Sequence, residues 1–60
     1  MSKLDELKGC LKAIKIQVED IFEEFDEEEP NLVYVSMKID SIRYEAAEAK
    51  DKMWVIMEDE

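Results

Sequence analysis

The sequence predicts an all-α protein, an antiparallel two-helix hairpin packed on heptads, with two hairpins closing into a four-helix bundle. Three observations predict it. Apolar residues recur at alternating spacings of three and four in each half of the chain. A single proline-containing acidic segment separates the halves, and residues suited to capping a helix stand at both starts.

The first half carries Leu4, Leu7, Leu11, Ile14, Val18, Ile21 and Phe25 at this spacing. The second carries Leu32, Val35, Ile39, Ile42, Ala46, Ala49, Met53 and Ile56. With 47% of residues apolar, two such runs arise by chance on the order of once in two thousand sequences, which decides for the helical period. Lettering each heptad from Leu4 and Leu32 places the runs at positions a and d, the expected contact between the helices.

The first helix is expected over about 3–26, with Ser2 as its N-cap and Asp5 three residues on, a weak form of the capping box. Gly9 lies inside it and costs about 1 kcal/mol relative to alanine, as a tolerated defect or a point of close approach. The turn is Asp26-Glu27-Glu28-Glu29-Pro30-Asn31. Proline disfavours helix in the residue before it and is tolerated in the first turn of a new one. Glu29 or Asn31 could cap the second helix, and Asn31 has the better side chain. That helix is expected over about 31–57. A connection this short makes the helices antiparallel neighbours, so the 60 residues read as one hairpin.

A β alternative exists for Leu32–Ile39, rich in β-branched and aromatic residues, with Met53–Met57 as a second short strand. The eight-position stripe running unbroken through both segments favours helix.

Helix 2 has apolar residues left over. Val33, Met37, Tyr44, Ala47 and Trp54 fall on its far side, interrupted by Asp40 and Asp51. A surface helix of a monomer normally shows one apolar stripe. A second one, rich in aromatic residues and methionine, has the composition of an interface core. These five residues are therefore the expected interface, with a second copy or with a target protein.

Charge is the other strong feature. Seventeen acids against eight bases give a net charge of −9. Glu19, Asp20, Glu23, Glu24, Asp26, Glu27, Glu28 and Glu29 form a run without a base, at the helix end whose dipole favours cations. Most lysines and the arginine fall at e or g, where their stems can cover the edges of the helix contact while their heads stay wet. The outward faces are expected to be dominated by acids.

These features exclude several chemistries. An acidic chain is poorly suited to neutralising phosphates, so neither direct nucleic-acid binding nor an anionic membrane surface is expected. There is no histidine, and Cys10 is the only cysteine. A disulfide within the chain, a Cys/His zinc site and a histidine-activated thiol are therefore ruled out, and Cys10 reads as a structural thiol. Gly9 is the only glycine, so no phosphate-cradling loop exists. The acidic run lacks the ligand spacing of an EF-hand.

No catalytic residue, cofactor or metal is expected, and the chain reads as non-enzymatic. Its charged start lacks the apolar core of a signal peptide, so a cytoplasmic protein is expected. The leading functional expectation is an acidic regulator or inhibitor, of a kind compact phage-type proteins exemplify. Its Glu19–Glu29 cluster would occupy the basic, nucleic-acid-binding surface of a target protein. The alternative is a homo-oligomeric structural or adaptor subunit, a homodimer in its simplest form, acting through the Tyr44/Trp54 face. A weaker third is an antitoxin-like chain that folds on its partner.

Overall fold

A computed structural model describes residues 2–58. Two helices, α1 (Lys3–Phe25) and α2 (Leu32–Glu58), run antiparallel and pack along their length in a body 49 × 16 × 13 Å across its Cα atoms. Both segments with strand propensity lie within α2. Their β-branched residues belong to one continuous helical pattern, and tertiary packing outweighs local preference.

The ends are held by side chains. Ser2 Oγ accepts a hydrogen bond from the Asp5 N–H at 3.1 Å, capping α1. Asn31 Oδ1 accepts from the Tyr34 N–H at 3.1 Å and caps α2 in the same way. Across the turn, Glu24 Oε2 accepts from the Asn31 N–H at 2.9 Å. One carboxylate thus ties the last turn of α1 to the residue that starts α2. The Asp26 N–H, at the C-cap, returns to the Glu23 carbonyl and the Glu27 N–H to the Glu24 carbonyl, each at 3.1 Å. No basic residue stands in the last turn of α1, leaving its dipole uncompensated there.

The contact between the helices is rotated from the a/d register that the heptads predict. In α1 the half-buried residues include Leu7, Cys10, Ile14, Gln17, Ile21 and Glu24, positions d and g, with Ala13 and Asp20 at c. In α2 they are Lys38, Ile42, Glu45, Lys52 and Ile56, again d and g, with Tyr34 and Glu48 at c, joined by the two fully buried residues, Val35 and Ala49, both at d. Position a is turned outward along most of both helices: Leu4, Leu11, Phe25, Leu32, Ile39 and Met53 are 48–69% exposed, and Val18 is half-buried. Two features account for the rotation. The small side chains of Val35 and Ala49 admit close approach at d. Beside them, Lys38 at g and Asp20 at c form an ion pair across the contact, Nζ to Oδ2 at 3.1 Å.

Gly9 is not a close-approach point, since a Cβ built there meets nothing within 4 Å. It is a helix defect without a packing role among the described residues.

Candidate protein-binding surfaces

The expected interface residues do not form one flat face. Val33, Ala47 and Trp54, at b, line the outer edge of α2, directly away from α1. Met37 and Tyr44, at f, turn toward one broad side of the hairpin. All five are exposed, Trp54 at 54% and Tyr44 at 66%. The neighbouring Glu48 carboxylate favours the protonated phenol of Tyr44 and raises its pKa above the ordinary 10.0. An open apolar notch of about 290 Å³ lies beside this edge, lined by Lys50, Met53, Trp54 and Met57.

The acidic run splits into structural and free members. Asp20 pairs with Lys38, and Glu24 holds the Asn31 N–H. Glu19, Glu23, Asp26, Glu27, Glu28 and Glu29 stand exposed. Glu24, Glu27, Glu28 and Glu29 line an open cleft at the hairpin tip.

Lys38 departs from the expectation that the basic side chains keep their heads in water. Its ammonium donates to Asp20 and lies 5.5 Å from the centroid of the Tyr34 ring. The hydrogen bond to Asp20 raises its pKa above the ordinary 10.5, outweighing the opposite effect of burial. Sequence reasoning missed this pair. Asp20 and Lys38 stand 18 positions apart, and only the hairpin closure brings them together.

Sequence reasoning also missed the neighbours of Cys10. Its thiol lies on the contact with α2, where Sγ and one carboxylate oxygen each of Glu45 and Glu48 fall within 4.8 Å of one another. The helical spacing of Glu45 and Glu48 hints at their proximity, but nothing local points to the thiol. One sulfur and two carboxylates make a three-donor group of the kind a zinc ion accepts, although structural zinc sites are four-coordinate.

Two broad sides of the hairpin differ in charge. Because α1 and α2 both bury the c–g–d arc and run antiparallel, like heptad positions lie on like sides. One broad side therefore carries a and e of both helices, and the other carries c and f. Within the helices the c/f side holds Glu6, Asp20, Glu23, Glu48, Asp51 and Glu58, whereas no a or e position is acidic. The e positions that edge this second side include Lys8, Lys15, Arg43 and Lys50. The acids thus do not dominate every outward face.

Among the described residues, no helix is long and apolar enough to cross a membrane. Comparison with protein-family models, with curated proteins and with solved structures finds no match for this chain.

Proposed function

We propose that the chain is a homo-oligomeric helical adaptor. Two hairpins pair into a four-helix bundle, and the apolar surface left outside, with Tyr44 and Trp54, holds another protein. The observation that carries this reading is the state of the core. Only Val35 and Ala49 are buried among the described residues, while fourteen large hydrophobic residues are exposed. Soluble monomers rarely leave so many large apolar side chains of so short a chain in water, and a chain of this size without a disulfide draws stability from regular packing or from a partner. Light scattering on a sizing column tests it. A mass near twice 7.1 kDa is expected, and a monomer at about 100 μM, far above the dissociation constants of ordinary specific complexes, overturns it.

A second reading is favoured by a different observation. Glu19, Glu23, Asp26, Glu27, Glu28 and Glu29 are exposed, and the Lys38–Asp20 and Arg43–Asp40 pairs involve none of them. In that reading the hairpin is an acidic regulator or inhibitor whose tip occupies the basic, nucleic-acid-binding surface of a target protein, since complementary fields speed encounter and select partners. Binding to a basic protein should weaken as salt rises and when Glu27, Glu28 and Glu29 become glutamine. Binding indifferent to both removes this reading. Neither reading assigns the chain an enzymatic activity.

A further inference from the structure

We propose that a second copy of this chain covers the a/e side of the hairpin, seated on Leu4, Leu11, Phe25, Leu32, Ile39 and Met53. The inference deepens the homo-oligomer reading and rests on it, but it names a different surface from the Tyr44/Trp54 edge. That edge then remains outside the bundle, free for another protein.

Register is the first support. In both helices the heptad stripes run through a and d, but the hairpin uses d and g for its own contact. Position d holds the buried residues of that contact and a lies just beyond it. In an antiparallel pair, equal rotations of the two helices carry their a rows to the same side. Two parallel apolar rows therefore lie side by side on one broad face, the arrangement that a facing pair of helices would cover in a four-helix bundle. The half-exposure of Ile39, Met53 and Phe25, each 48%, fits side chains covered from one flank and open above.

The second support is area. The chain exposes 5014 Å². Scaling of surface with mass gives a folded monomer of 7.1 kDa about 4,100 Å². The excess, about 900 Å², is close to the roughly 800 Å² that each partner contributes to a stable protein interface.

Charge is the third support, because two a/e sides can meet without bringing acids together. A copy approaching with a net charge of −9 is repelled by the c/f side and by the tip. The a/e side is the one broad surface free of acids, and its rim carries Lys8, Lys15, Arg43 and Lys50. A basic partner would find the opposite preference.

The test compares two lysines of α1 that are both exposed and carry the same charge. Lys15, at e, lies on the rim of the proposed face. Lys12, at b, lies on the outer edge of α1. Lys15→Glu sets an acid among the basic rims that meet at a two-fold interface, once in each copy, and should lower the dimer dissociation constant by about tenfold. Lys12→Glu adds the same charge and should change it by less than about threefold. Sedimentation equilibrium reads the constants, and circular dichroism confirms that each variant stays helical.

If Lys15→Glu and Lys12→Glu are equivalent while Trp54→Ala dissociates the dimer, the face is wrong and self-association stands. If the unsubstituted chain is a monomer at about 100 μM, self-association itself fails and this assignment fails with it.

Discussion

Lys38 and Asp20 show what one long-range pair contributes. Their ion pair sits half-covered between the helices, where it fixes the rotation and longitudinal match of α1 on α2. Its effect on stability has a defined pH dependence. The folded-state pKa of Lys38 is raised, so its contribution is fully present below the unfolded value and is lost as pH climbs through the folded one. Tyr44 acts in the same direction, because its raised pKa favours the protonated phenol of the folded chain. Thermal melts should therefore show a midpoint falling above about pH 10. Lys38→Met should lower the midpoint at neutral pH and flatten that decline, since the ion pair is removed while the methionine stem keeps the seat of the lysine stem. An unaltered alkaline limb in this variant would show that the pair does not act.

At the scale of the elements, neighbouring acids at the end of α1 have opposite roles. Glu23 is exposed in a last turn without cations, so its charge opposes the helix dipole. Glu24 accepts the Asn31 N–H and joins the two helices. Glu23→Lys should stabilise the fold by about 0.3–1 kcal/mol, whereas Glu24→Ala should cost about 1–3 kcal/mol through loss of a hydrogen bond to a charged group. Urea titrations followed by circular dichroism separate the two. Equal effects at both positions would remove the structural distinction. Sequence alone made both residues part of one acidic run, because the bond from Asn31 spans seven positions and exists only once the turn closes. The caps at Ser2 and Asn31 were legible because their partners lie three residues away.

For the whole molecule, the ratio of exposed to buried apolar surface governs behaviour. A rod two helices wide has no second layer with which to bury position a. If copies supply that layer, stability must follow mass action. The thermal midpoint should then rise with protein concentration, because association draws the unfolding equilibrium toward the folded chain. Melts at about 5 μM and 500 μM, a hundredfold range that changes a dimer's stability by about 2.7 kcal/mol, provide the measurement. Superimposable curves would mark a self-sufficient hairpin.

Amino-acid order by itself determined the helical period, the antiparallel hairpin, the position of the turn and the strongly negative field. Each depends on residues near one another along the chain or on composition. Tertiary structure alone decided the rotation of the two helices. A heptad stripe covers an arc wider than one helix contact can bury, so a, d and g compete for the same place. Close approach at Val35 and Ala49 and the Lys38–Asp20 pair settle that competition in favour of d and g. The same rotation separates the sides of the molecule, leaving an apolar a/e face clear of acids and the Tyr44/Trp54 residues along an edge and the opposite side. Spacing along either helix specifies which residues share a row; only the packed pair specifies which rows remain open.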